Sequence, residues 1–362
     1  MRMTTSDLAV IVDGHEDLAL NALSDGRNYL TSAYAIRAAE AGSGIEDVIG
    51  RSMLGLAEWL EARVGVIVAT LNVIPRSFAH PGELSYATVE DAHQQALAQL
   101  DLYRRWAQTC SQIVIVETRE QLEGVLSTWG HDVATEDRRI GLVLLMENAD
   151  PIRDVDEVAF WAEQGLRLIG PAWHANRYSG DTRAGGPLTP PGRQLLREMG
   201  RRALVLDLTH MSEEACLEAL DTYEGAVVAT HAHSQRTVPR DRLLSDRVIE
   251  GIVERDGIVG VLPINWALEP DWQRADGKDA VSLEAVVDAI DAVCEIAGDA
   301  VHVGIGTDFD GGQGAESAPA ELDTIADLPK LAAALARRGY AQTDVAGIMG
   351  GNWLRFLRLE LP

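Results

Sequence analysis

The chain has 362 residues, 46% of them apolar and 24% charged, and a formal net charge of −25 at pH 7. That length fits two ordinary domains or one large α/β barrel, and the apolar share is enough for a substantial core. So acidic a balance argues against a nucleic-acid partner and against an anionic membrane surface, and no apolar stretch approaches the ~20 residues of a spanning helix.

The N-terminal MRMTTSDLAV lacks a signal-peptide apolar core and cleavage site, so export is not expected. The run LAVIV (8–12) reads as a strand that continues into DGHEDL. There Asp13, His15 and Asp17 occupy alternate positions, which in an unbroken strand would point all three to one side. Taken alone, DGHEDL is better explained as a polar strand end followed by a turn.

Further β-branched runs follow at 64–73, 112–117, 139–147, 165–170, 203–208, 225–230, 257–262 and 301–306. Continuous apolar runs suit strands covered on both faces, as in a parallel sheet. Helical patterns alternate with them, with caps expected at Thr88, Ser212 and Ser282 and a stop at Gly298. The alternation predicts an α/β fold: a (β/α)8 TIM barrel with extra loops, forming one domain over 1–362. The surplus ninth run, 112–117, is expected to be peripheral. A doubly wound open sheet is the alternative.

Cys110, Cys216 and Cys294 are odd in number and show no C-x-x-C spacing, which fits thiols in a reducing, cytoplasmic compartment. The only lysines are Lys278 and Lys330.

A barrel places its chemistry at the C-terminal ends of its strands. The runs here lead into His15 and Asp17, Glu147, His174, His210, His231 and Asp308, which include four of the nine histidines. Imidazole and carboxylate donors without a thiolate set suit zinc, or a neighbour such as manganese or cobalt. So many donors exceed the needs of one ion and suit two, ~3.5–4 Å apart, sharing a carboxylate and a hydroxide. Neither lysine follows a strand run, so Glu147 is the expected bridge in place of a carboxylated lysine. Asp13 is expected to orient a ligand, Asp310 to hold a loop, and Asp207, Glu16 and His80 to be structural or solvent-exposed. Gly304 and Gly306 form no dinucleotide fingerprint, and there is no G-x-S-x-G elbow.

Taken in order, DGHEDL, Glu147 at a strand end, LDLTHMS, ATHAHS and GIGTDFDG resemble the membrane (renal) dipeptidase family, peptidase family M19 of the amidohydrolase superfamily. The resemblance runs from His15 to GGNWLRF near the C-terminus. It implies a binuclear zinc dipeptidase in which His15 and Asp17 hold one Zn2+, His210 and His231 the other, and Glu147 bridges. A metal-bridging hydroxide would attack the peptide carbonyl, with Asp308 as general base and then proton donor. His174 would hydrogen-bond the carbonyl oxygen, and Arg242, in RDRLLSD, would hold the substrate's free carboxylate. L,L and L,D dipeptides, β-lactam hydrolysis and a homodimer are what the resemblance suggests.

The chain departs from the family pattern at MENAD, where glycines usually follow the glutamate, and at ATHAHS, which offers two histidines. His231 directly follows the apolar run and lies 11 residues before Arg242, which leaves His233 in reserve. The signal sequence, cysteines and anchor tail of the animal enzymes are not seen, as in a soluble bacterial-type member. Rival readings are an amidohydrolase for N-acyl amino acids, lactones or phosphoesters, and a barrel that only binds a ligand.

Overall fold

The β-branched runs pair side by side in the order in which they occur along the chain. A computed structural model describes residues 10–362; MRMTTSDLA, with the first two residues of the run 8–12, lies outside the described residues. The ring consists of β1 (Ile11–Glu16), β2 (Val64–Asn72), β3 (Ile140–Glu147), β4 (Leu166–Gly170), β5 (Val205–Asp207), β6 (Val227–Val228), β7 (Val259–Val261) and β8 (Val303–Ile305). Neighbours are parallel, and β8 returns to β1 through the Asp13–Ile305 pair.

Between β6 and β7 the ring is closed by a parallel bridge from Ala229 to Val259, where Gly260 N donates to Ala229 O at 2.8 Å. An open doubly wound sheet would leave two edges here; the fold is a (β/α)8 barrel. The run at 112–117 is peripheral, as expected. Its strand, Ile113–Ile115, pairs with Ile140–Leu142 of β3, on the edge that β4 occupies further along at Leu144–Glu147.

Alternate strand positions face two different environments, as the period of a strand requires. Ile11, Ile67, Leu142 and Leu206 pack in the large cluster under the helices. Val12, Val66, Val68, Val143, Leu168 and Val205 gather in a second cluster together with Trp353 and Phe356 of the last helix, Asn352–Glu360. Trp353 Nε1 donates to Ile305 O at 3.0 Å, and its ring lies where a Cβ on Gly14 would come within 2.7 Å. Glycine is therefore required at position 14 by close approach rather than by a turn.

The cap predictions are mostly met. Thr88 and Asp91 form a reciprocal capping box on Val89–Thr109, and Ser212 accepts from Ala215 N on Glu213–Thr222. Leu283–Ala297 begins after Ser282 and stops at Gly298 (φ 77°), but Ser282 makes no side-chain cap bond. Glu321 Oε2 takes Leu283 N at 2.8 Å instead, a partner 38 residues away.

One expectation fails in β1. Asp13 pairs with Ile67 and Glu16 with Ala69, so three residues advance against two. This bulge breaks the alternation, and Asp13 does not join His15 and Asp17. Its carboxylate accepts from Thr307 N (2.8 Å), Thr307 Oγ1 (2.5 Å) and His15 N (3.2 Å), tying β1 to the loop that carries Asp308. Above the strand ends lie two small ribbons, Ile74–Pro75 with Ser85–Tyr86 and the hairpin Ser179–Asp181 with Gly185–Leu188. They wall the mouth of the barrel.

Candidate metal centre

His15 lies within β1 near its end and Asp17 just beyond it, while Glu147 is the last residue of β3; His210, His231 and Asp308 are each the third residue past β5, β6 and β8. Closing the ring brings all six together. Three trios have one donor atom from each member within 4.8 Å of the others: His15–Asp17–Glu147, Glu147–His210–His231, and His15–His231–Asp308.

Glu147 divides its oxygens between the first two trios. Oε1 is 3.0 Å from His210 Nε2 and 3.6 Å from His231 Nε2, while Oε2 is 3.4 Å from His15 Nε2. His15 Nε2 is also 3.8 Å from Asp17 Oδ1. Both His15 Nε2 and Glu147 Oε2 are buried without a hydrogen-bond partner. Orphaned buried donor atoms that converge in this way fit divalent metal, since burial without a partner is otherwise costly.

The charges agree with that reading. Burial raises the Asp17 carboxyl to about 6, with Glu147 adding to it, and burial also lifts Asp308 well above the usual range. Burial opposes charge on His15, but Glu147, Asp17 and Asp308 outweigh it and push the imidazole up to about 10. Glu147 is held low: burial works against its charge, and His15 and His210 overcome it. His210 is pushed down to about 4 by burial and Arg242, and His231 is lowered by burial and His15, so both are neutral imidazoles with a lone pair to give.

One hydroxyl orients two of the imidazoles. Thr230 Oγ1 donates to Asp207 Oδ2 at 2.6 Å and lies 3.0 Å from His231 Nδ1 and 3.2 Å from His15 Nδ1. A hydroxyl has a single proton, so both ring nitrogens must donate to it, and in the neutral form of each ring the Nε2 lone pair faces the site. Asp207 Oδ1 is saturated by Thr209 Oγ1 (2.8 Å), Thr209 N (3.1 Å) and Thr230 N (3.0 Å). Thr70, near the end of β2, holds Asp17 in a short hydrogen bond.

Left-handed backbone concentrates at the same place. Asn148 (φ 75°), His210 (φ 69°), Asp308 (φ 53°) and Asp310 (φ 64°) all lie at the mouth. Such conformations are disfavoured for residues with a Cβ and persist where the surroundings hold them. Asn148 stands where a glycine was expected and adopts the glycine-like conformation, which asparagine tolerates best. Asp310 serves its loop as anticipated, accepting from Met53 N (2.7 Å) and Ser52 Oγ (2.8 Å) and pairing with Arg27 at 3.2 Å.

A cavity of about 730 Å³ opens over the cluster, and Asp17, Glu147, His210, His231, Arg242 and Asp308 are in its lining. Arg242 Nη2 contacts His231 O (3.2 Å) and His210 Nε2 (3.4 Å), whereas its Nη1 is buried without a partner. His174, expected at the scissile carbonyl, stands beside Phe78 (ring centres 5.7 Å apart) and Trp173 (6.2 Å), which line the cavity. After β4 ends, the turn directs the imidazole to Tyr86 Oη (3.5 Å) and Asp150 Oδ2 (3.9 Å). His233 stands apart, with Nε2 2.9 Å from Ala267 O and its pKa lowered to about 4 by burial. Lys278 and Lys330 bind Leu322 O and Asp327, away from the donor trios. The sequence reading passed over Thr230, Thr70, Trp173 and Arg183. Thr230 had a visible signal, since it directly precedes His231 in ATHAHS.

The family model for membrane dipeptidases (peptidase family M19) matches residues 5–360. An uncharacterized protein in the pqqA 5′ region of Klebsiella pneumoniae is 32% identical over 260 residues, 68% of this chain and 91% of that protein. Dipeptidase tcpJ of Claviceps purpurea is 34% identical over 171 residues, 47% of this chain but only 38% of that protein. A metallopeptidase from Rhodobacter sphaeroides, crystallised with a phosphinate mimic of the dipeptide L-Ala-D-Ala, shares the fold at a TM-score of 0.78 and 22% identity, covering 98% of this chain and 100% of that one.

Thr230→Val keeps the shape of the side chain and removes the hydroxyl shared by the two imidazoles. It is expected to weaken divalent-cation affinity roughly 10- to 100-fold, read by competition with a fluorescent chelator. Unchanged affinity would mean that the ligands are oriented by other means.

Proposed function

We propose that this chain, which belongs to the membrane dipeptidase family of metallopeptidases, hydrolyses L,L and L,D dipeptides with two divalent cations, zinc by donor chemistry, held at the barrel mouth. The observation that carries this reading is Glu147, whose two carboxylate oxygens face different sets of imidazoles. His15 and Asp17 would hold one cation and His210 and His231 the other, with Glu147 shared between them. When bound, such a pair supplies Lewis-acid polarisation of a carbonyl and a water acidic enough to serve as nucleophile near neutral pH.

The remaining steps fall to the chain's own groups. Asp308 belongs to a trio with His15 and His231, one imidazole from each cation set, so its carboxylate is in reach of a water between them. It takes the proton from that water and returns it to the leaving amine. Arg242 offers a buried Nη1 that has no partner, which suits a fork around the substrate's terminal carboxylate. A site that binds the terminal carboxylate close to the cations accepts dipeptides and rejects longer peptides. The Rhodobacter sphaeroides relative, bound to a mimic of L-Ala-D-Ala, supports tolerance of a D-residue at the C-terminal position. His174, beside Phe78 and Trp173 of the cavity wall, would hydrogen-bond the scissile carbonyl oxygen.

The whole chain acts as one catalytic unit on this reading. No helix of the described residues is long and apolar enough to cross a membrane. Free thiols at Cys110, Cys216 and Cys294 support a cytoplasmic setting.

Cleavage of L-Ala-L-Ala and L-Ala-D-Ala, but not of tripeptides, is expected to disappear on chelation and return with zinc. Turnover that survives complete chelation would overturn the reading. Asp308→Asn should retain bound metal while kcat falls roughly 100- to 10,000-fold. A variant that keeps near-normal kcat would remove Asp308 from the proton transfer.

A further inference from the structure

About half of the arginines of this acidic chain pair with a carboxylate. On the surface Arg153 pairs with Glu157, Arg236 with Asp246, Arg338 with Asp288 and Arg355 with Asp256. Arg183 does not, and unlike most of the other arginines without an ion pair it lines the cavity over the donor cluster. It sits at the turn of the hairpin Ser179–Asp181/Gly185–Leu188, where Asp181 Oδ1 accepts from its backbone N (3.1 Å) and from Ala184 N (2.6 Å). Among the described residues no carboxylate pairs with its guanidinium. Two aromatic rings hold it instead, with Cζ 4.6 Å from the centre of Trp173 and 5.2 Å from that of Phe78. Those rings meet edge to face at 5.6 Å, so the exposed cation rests against an aromatic corner of the cavity wall.

Its position is as informative as its lack of a partner. Arg183 and Arg242 both line the cavity over the donor cluster, and both also line an adjoining cavity of about 430 Å³. They are close enough for the charge of Arg183 to act on Arg242. Two like charges on one wall repel, and among the described residues no ion pair joins either guanidinium to a carboxylate, although Asp308, Glu147 and Asp207 favour the charge on Arg242. One fork suffices for the terminal carboxylate of a dipeptide, so the second has no role with an apolar substrate. Asp241 lines the same wall without pairing to either arginine.

Resting on the dipeptidase reading, we infer that Arg183 binds a second carboxylate, the side chain of an acidic C-terminal residue, and that the enzyme prefers dipeptides ending in Asp or Glu. Arg242 holds the main-chain carboxylate, and the side chain runs along the wall of the main cavity to Arg183, short of the adjoining cavity that Asp181, Glu213, Glu214 and Asp241 also line. The aromatic corner fixes the guanidinium in advance, so little ordering is needed when the anion arrives.

The test compares kcat/KM for L-Ala-X, with X being Ala, Asn, Lys, Asp or Glu in both L and D forms, between the zinc-loaded enzyme and Arg183→Met. The wild type should favour Asp or Glu over Ala and Asn by roughly 10- to 100-fold, and the variant should lose that ratio. A ratio near one in the wild type, a preference for Lys, or an equal loss on every substrate in the variant would overturn the inference. Isothermal titration of zinc-loaded Asp308→Asn with L-Ala-D-Asp and L-Ala-D-Ala reads the same preference without turnover. Tighter binding of the acidic dipeptide to an enzyme that cleaves nothing would uphold this inference and remove the dipeptidase reading; equal binding would remove this inference alone.

Discussion

A single buried carboxylate organises the mouth of this barrel. Glu147 directs one oxygen toward His210 and His231 and the other toward His15, and both oxygens are removed from solvent. Burying a carboxylate is costly unless positive charge or hydrogen bonds meet it. Here the compensating groups come from β1, β5 and β6, strands far apart in the chain. The site therefore exists only when the ring closes, and the Ala229–Val259 bridge between β6 and β7 completes that ring.

The second constraint lies behind the first. Asp207 and Thr230 form a small, saturated polar network that sets the tautomer of His15 and of His231 through one hydroxyl. Asp13 does the same kind of work on the other side, fastening Thr307 so that the next residue, Asp308, turns into the left-handed region. In both cases a carboxylate spends its lone pairs on backbone and hydroxyl donors and holds its neighbours in place. The two carboxylates sit beside the donor cluster; the orienting role expected of Asp13 falls to Asp207 as well, which the sequence leaves as structural or solvent-exposed.

Much of the fold was legible because its signals are local. Runs such as IGLVLLME are long, apolar and bounded, and their order along the chain is also their order round the barrel. Thr88 with Asp91 announced a helix start because both partners of the capping box lie in the same four residues. The six donors were legible because each sits at or just past a strand end, a position the barrel topology singles out. What escaped depended on contacts distant in sequence or on a one-residue change of register. The bulge in β1 turned Asp13 away from His15, and nothing in DGHEDL marks it. That Trp173 and His174 both pack on Phe78 rests on the path of the loop after β4, which sequence spacing does not reveal. Arg183 looked like any arginine in a polar loop until Phe78, from a different ribbon, appeared beside it.

Two cations sharing Glu147 is the central claim, and anomalous diffraction from crystals of the zinc-loaded protein tests it most directly. Two peaks ~3.5–4 Å apart are expected, one beside His15 and Asp17 and the other beside His210 and His231, with a Glu147 oxygen on each. A single peak under saturating zinc, or two peaks with Glu147 bound to only one, would contradict it.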